Sequence, residues 1–413
     1  LRSLTQSVPF TCWGESRPLA GCQVLWAEGR LLLCEAQALT PRRLSLRIMP
    51  EWTVCGYRCG TRRLCVGADD DPSLRLRRQE RELCLTVSMA ERECSVTGEA
   101  AVPPGQPAPE DLLLCRLYPQ VASCQLVGAK LLVKGELTLC ALYRCQQQKL
   151  HTYTAVLPFS QIVESPSGGE EGEVTVCPQL LCGEARLLRG EESSGFAVSA
   201  ELRLLVRVTR RETVACVTDL YSIRCAVQPD TEPVSLPPAQ ERPARQEAAE
   251  HLDFGRQRPF VYVTDVSCAP AASEDGAPCA AVRMRLLYLD ETEAPAVTER
   301  TAQLPLQEGE TCTRCGAPEV AFTGTGCDLR QAVSVTPAAG EPVVLTTVTA
   351  VQTLPEREEG RRPSLVMRRL AADETLWDAA KQYRTDEELI RAVNQLTEGE
   401  VPDKMLLIPR MRP

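Results

Sequence analysis

Through the first 360 residues apolar and polar side chains alternate one by one. That period excludes helices as the main building material, because successive side chains fall on opposite faces only in an extended strand. Val198, Ala200, Leu202, Leu204, Val206 and Val208 face one way, while Ser199, Glu201, Arg203 and Arg207 face the other. Leu131, Val133, Leu137, Leu139, Ala141 and Tyr143 repeat the pattern, as do Val282, Met284, Leu286 and Tyr288 against Arg283 and Arg285. Each such strand buries one face. Turn-rich breaks such as Ser165-Pro166-Ser167-Gly168-Gly169 then predict a mainly β chain of tandem β-sandwich-like modules.

Two segments read as copies of one unit. Ala141-Leu142-Tyr143 precedes Leu157-Pro158-Phe159 as Leu286-Leu287-Tyr288 precedes Leu304-Pro305-Leu306, at offsets of 145 and 147 residues. A third anchor, Val8-Pro9-Phe10, lies 149 residues before the middle one, so two and a half units are expected. The passage from Val102 to Glu110 is rich in proline and divides the first unit from the second. Gln228 to Pro259 carries six prolines, ten charges and no cysteine, which predicts a linker or extended connector, with a solvated helix over Pro243 to Leu252 as its alternative.

Composition removes several functions. The net charge of −9 argues against nucleic-acid binding through a general positive field. No run of 18 apolar residues predicts a membrane span. Leu1 to Val24 mixes Arg2, Glu15 and Arg17 into a short apolar pattern unlike a secretory signal, so an intracellular protein is expected.

Twenty-one cysteines stand against two histidines, His151 in an apparent polar turn and His251 in a charged stretch, both expected at the surface. Cys312-Thr-Arg-Cys315 is the one close pair, followed by Gly316, Ala317 and Pro318, and reads as a turn with no second pair to complete a zinc site. Cys55, Cys59 and Cys65 likewise lack a fourth ligand at metal spacing. Cys34, Cys84 and Cys140 sit in apolar runs, where a thiol packs as a small hydrophobe. Reduced thiols are the default in the expected compartment. No metal, cofactor or catalytic constellation is predicted, and the chain is expected not to be an enzyme.

After Pro363 the cysteines stop and two helical patterns follow each other. Thr375-Leu-Trp-Asp378 has capping-box spacing, with Leu376, Ala379, Ala380 and Tyr383 on one face. Thr385-Asp-Glu-Glu388 repeats the device, with Leu389, Ile390, Val393 and Leu396 as the second buried stripe. Strands are expected at Leu365 to Leu370 and Met405 to Ile408, giving a strand, helix, helix, strand unit.

Glu374-Thr-Leu-Trp-Asp-Ala-Ala-Lys-Gln-Tyr383, Ile390 with Asn394, and Leu406-Leu-Ile-Pro409 resemble a LysM domain from end to end. The resemblance implies a small βααβ fold over 364–411 and a groove for N-acetylglucosamine polymers such as peptidoglycan. It places that groove at Asp373, Glu374, Thr375 and Leu376 on one side, and at Asn394, Leu396, Pro402 and Asp403 on the other. Asp373 and Asp403 stand where the family carries glycine, which puts a side chain and a charge beside the groove. A protein ligand is therefore as plausible there as a glycan.

Pro103 to Glu164, with Lys134-Gly-Glu-Leu137, Leu142-Tyr143 and Pro158-Phe-Ser-Gln-Ile-Val-Glu164, resembles a SPOCS domain. The expected division is a partial SPOCS-like module over 1–95, a module over 96–227, the linker over 228–259, a module over 260–358 and the LysM domain. That order resembles clostridial spore-coat morphogenesis proteins. It implies a non-enzymatic adaptor of the mother-cell cytoplasm at the forespore surface, whose partners are the spore-coat morphogenesis ATPase, other coat proteins or cortex peptidoglycan. The alternative is a peptidoglycan-binding, cell-wall-tethered protein.

Overall fold

The computed structural model describes residues 9–68, 71–165, 172–189, 194–236, 243–338, 340–355, 364–371, 373–397 and 405–410. Among them the fold is mainly β, as the alternation predicts. A long hairpin comes first, β1 (Val24–Thr40) and β2 (Arg43–Tyr57). Six strands follow: β3 (Leu74–Ala101), β4 (Pro109–Val127), β5 (Lys130–Cys145), β6 (Leu150–Glu164), β7 (Glu173–Arg189) and β8 (Ser194–Ser222). β9 (Val227–Leu236) precedes a second set: β10 (Ala244–Asp253), β11 (Val261–Ala272), β12 (Pro278–Leu289), β13 (Pro295–Pro305), β14 (Thr311–Thr323) and β15 (Gly326–Thr336). The chain closes with β16 (Val343–Thr353), β17 (Leu365–Arg368), α1 (Leu376–Tyr383), α2 (Glu387–Asn394) and β18 (Leu406–Pro409).

These elements form two compact units, each drawn from three separated stretches. The first takes Leu1–Cys59, Leu85–Arg210 and Gln240–Ala339, and the second takes Gly60–Cys84, Arg211–Ala239 and Gly340–Pro413. Strands β3 and β8 give part of their length to each.

In the first unit, the sheets β4-β5-β6 and β3-β8-β7 close over one core. Leu137, Leu139 and Tyr143 of β5, Phe159 of β6, and Leu202 and Leu204 of β8 lie in that core. The residues picked out by alternation are buried, Val198 through Val208 included, except Tyr288, which is half-buried. A second body repeats the arrangement, with β11-β12-β13 over β10-β15-β14 and Met284, Leu286, Leu304, Leu329 and Val333 inside. Phe159 pairs with Gly135 as Leu304 pairs with Ala280, so the strand register runs two residues away from the Leu-Pro alignment. A Cβ on Gly135 would sit 2.4 Å from both the Gln120 carbonyl oxygen and the Phe159 ring. Glycine is what lets the ring lie across the strand.

The outward face of β5 is also covered. Cys140 and Leu142 pack with Leu113, Phe260, Tyr262 and Leu287, and the Tyr262 hydroxyl donates to the Cys140 carbonyl at 3.0 Å. This explains why the run from Leu139 to Tyr143 stays apolar on both faces.

Several expectations are corrected. The connector over 228–259 contains two strands: β9 pairs with β16, and β10 pairs with β15. Pro229 and Pro233 are accommodated because, among the described residues, β9 is an edge strand paired with β16 alone. The inward face of β10 offers only Ala248 and Leu252 as buried residues, too sparse a pattern to announce a strand. Cys312 and Cys315 lie on β14, interrupted by bulges, rather than in a turn. Cys312 is bonded to Cys268 of β11, against the expectation of reduced thiols throughout. Burial pushes the Cys315 thiol up to about 11, with Asp265 adding to the shift. His151 sits on β6 opposite Tyr143, half-buried, and desolvation followed by Lys149 lowers its pKa.

In the second unit, Val217, Leu220 and Val348 form a small core with Cys65, Leu74, Leu76 and Val227 beside it. The Val217 amide donates to the Cys65 carbonyl at 2.7 Å, and the Cys65 amide donates to the Thr347 hydroxyl at 2.9 Å. The C-terminal segment builds on these strands. β17 and β18 pair antiparallel, and Leu376, Ala379, Ala380, Ile390, Leu406 and Ile408 share one core with Tyr221.

Candidate functional site

The C-terminal strand, helix, helix, strand segment is where the resemblance leads one to expect a binding groove, and its local chemistry explains its shape. Thr375 caps α1: its hydroxyl oxygen accepts from the Asp378 amide at 3.3 Å, and the Asp378 carboxylate accepts from the Thr375 amide at 2.9 Å. These bonds from Thr375 hold the Asp378 carboxyl below the usual carboxylate range. The cap of α2 is Asp386, accepting from the Glu388 amide at 3.2 Å, rather than Thr385. Both helices end on residues in the left-handed region, Arg384 and Gln395, which reverse the chain after each helix.

Several of the residues expected at the groove are engaged within the segment itself. Glu374 accepts from an Arg368 guanidinium nitrogen and from the Ala371 amide, closing the loop before α1. Leu376 is buried in the helical core, and Leu396 packs half-buried against it. Asn394 clamps α2 to β18: its amide nitrogen donates to the carbonyls of Ile390 and Leu407, and its oxygen accepts from the Leu407 amide at 2.8 Å. Asp373 is exposed. Pro402 and Asp403 lie outside the described residues. The stripe expected for α2 is partly wrong as well, since Leu389 and Val393 are exposed and Ile390 alone of that helix is buried.

A different constellation, which no sequence pattern marked, joins the helical segment to the strands of its own unit. The Trp377 indole N–H donates to Asp219 at 2.7 Å, and Lys381 pairs with the other oxygen of the same carboxylate. The Tyr221 ring meets Trp377 edge to face with centroids 4.9 Å apart, and its hydroxyl donates to the Thr385 carbonyl at 2.8 Å. Burial pushes the Tyr221 phenol up strongly, with Asp386 adding to the shift. Arg75 reaches Asp386 through two nitrogens at 2.7 and 2.8 Å. Asp219 and Tyr221 belong to β8 and Arg75 to β3, over 140 residues apart in sequence, so spacing along the chain carries no signal of the site.

In the same segment, two guanidinium groups approach the Tyr383 ring, Arg410 at 5.2 Å and Arg368 at 5.7 Å from its centre. In the first unit, two shallow depressions of about 260 and 280 Å³ are lined by Arg116, Asp265 and Leu180, and by Thr154, Tyr262 and Phe322. Both fall below the usual range of ligand pockets. Among the described residues no group of three His, Cys, Asp or Glu side chains is arranged to hold a metal ion.

The family model described as SipL, SPOCS domain, matches residues 109–180. The match begins at the first residue of β4 and ends at the bulge in β7, so it spans the sheet β4-β5-β6 of the first body. No curated protein and no solved structure matches the chain.

Proposed function

We propose that this chain is a non-enzymatic adaptor in assembly of the spore coat or envelope, working in the mother-cell cytoplasm at the forespore surface. The observation that carries the reading is the match of residues 109–180 to a sporulation-related domain, placed on a body that the chain repeats. Repetition suits a scaffold, because each copy offers further surface for assembly.

In this reading the C-terminal segment is a LysM-like module that docks to a coat-assembly protein, the spore-coat morphogenesis ATPase, with cortex peptidoglycan as the competing ligand. A protein ligand is favoured by the way Glu374, Thr375 and Asn394 are engaged in holding the module, and by the negative charge that exposed Asp373 adds at the groove edge. The test is a binding comparison with the full chain, in which the ATPase and N-acetylglucosamine oligomers are titrated separately. ATPase binding weakened by Asp373→Lys supports the adaptor reading. Binding to the oligomers alone overturns it in favour of a wall-tethered protein.

A further inference from the structure

The hairpin β1–β2 repeats the hairpin β7–β8 in detail. β1 and β7 are both 17 residues long and start 149 positions apart. Each bulges at the same point, between Leu31 and Leu33 in one and between Leu180 and Cys182 in the other. The equivalence assigns each residue of one hairpin to a level of the other.

In β7–β8 the inward levels, such as Leu180 with Leu202 and Ala185 with Val198, are closed by the sheet β4-β5-β6. The equivalent levels of β1–β2 include Leu31 with Pro50, Cys34 with Ile48 and Ala36 with Leu46. They form a face without a charged or polar side chain, and they are exposed: Leu31 by 58 %, Leu46 by 54 % and Ile48 by 48 %. The other face of the hairpin is mostly polar, carrying Glu28, Glu35, Arg47 and Glu51, and its base packs through Trp26 and Val24 against Leu205. An apolar sheet face of this kind is a binding surface by default, and two further copies of the unit show what covers it, namely the apolar face of another antiparallel sheet.

We propose that a second copy of this chain supplies that sheet, with the two β1–β2 hairpins packed face to face about a two-fold axis. The face is sorted by size. β1 contributes mainly small residues, Ala27, Gly29, Cys34, Ala36 and Ala38, with Leu31 as the exception at the bulge, whereas β2 contributes mainly large ones, Leu44, Leu46, Ile48 and Trp52. A two-fold that lays the β1 row of one copy over the β2 row of the other sets large against small at every level but that of Leu31, and no charge is desolvated. The hairpin face measures roughly 50 Å by 10 Å from strand rise and spacing. A pair therefore buries on the order of 1,000 Å², the lower bound of a specific interface.

The test is the mass of the full chain by light scattering across about 1 to 100 μM. Twice 45.4 kDa at the upper end is expected. Leu46→Glu with Ile48→Glu should shift the midpoint at least tenfold upward with unchanged circular dichroism, while Ser45→Glu, on the polar face, should leave it in place. Mass-mapped alkylation of Cys34 gives an independent readout and should slow at least fivefold as the dimer forms. A monomer throughout, a dimer indifferent to the double substitution, or Cys34 equally reactive at both extremes overturns the proposal.

Discussion

Asp219 receives Trp377 on one oxygen and Lys381 on the other, so a single carboxylate fixes both the ring and the charge of α1. Hydrogen bonds to a charged group contribute about 1.5–3 kcal/mol each before screening. Asp219→Ala is therefore expected to loosen α1 by at least ~1.5 kcal/mol, seen as faster amide exchange across Leu376–Tyr383, and Tyr221→Phe by about 1 kcal/mol. The Asp378 carboxyl supplies a pH-dependent element. Its folded pKa lies below the ordinary 3.8, so the capping box stabilises the module above that value and loses its contribution as pH falls through the folded pKa. Thr375→Val should flatten that part of the acid limb of the unfolding curve, with little change in its slope near neutral pH.

At the scale of elements, the strands are held by what lies across them. Phe159 occupies the space above Gly135, so Gly135→Ala is expected to cost about 1–3 kcal/mol through overpacking against the ring and the Gln120 carbonyl. Denaturant unfolding of the variant checks this, and Phe159→Leu in the same background should recover part of the loss. β11 and β14 are joined by Cys268 and Cys312, 44 residues apart. Peptide mapping without reduction should return that pair, and Cys312→Ser should lower the stability of the second body by roughly 2–4 kcal/mol under oxidising conditions.

For the whole molecule, the division into units decides what can be cut away. The C-terminal segment shares a buried core with Tyr221 and rests on Ile223. Removing residues 364–413 is thus expected to uncover apolar surface on β8 rather than to leave the β strands undisturbed. Hydrogen exchange of a chain ending at residue 363 should show lost protection around residues 216–223, while the core formed by β4-β5-β6 retains its own.

The sequence by itself determined the mainly β class, the repeated unit, the two C-terminal helices and the inward face of β5, β8 and β12, because each follows from side-chain period and capping chemistry that act over a few residues. β9 and β10 were illegible, since prolines and charges masked strands that exist only because β16 and β15 pair with them. The residues expected at a groove were legible as a motif, but not in their contacts: that Asn394 clamps β18 depends on where the strand returns. Only the tertiary structure decided the interleaved units and the meeting of Asp219, Tyr221 and Arg75 with the helices. Those contacts join residues separated by 158 to 311 positions, a distance over which local pattern carries no information about proximity.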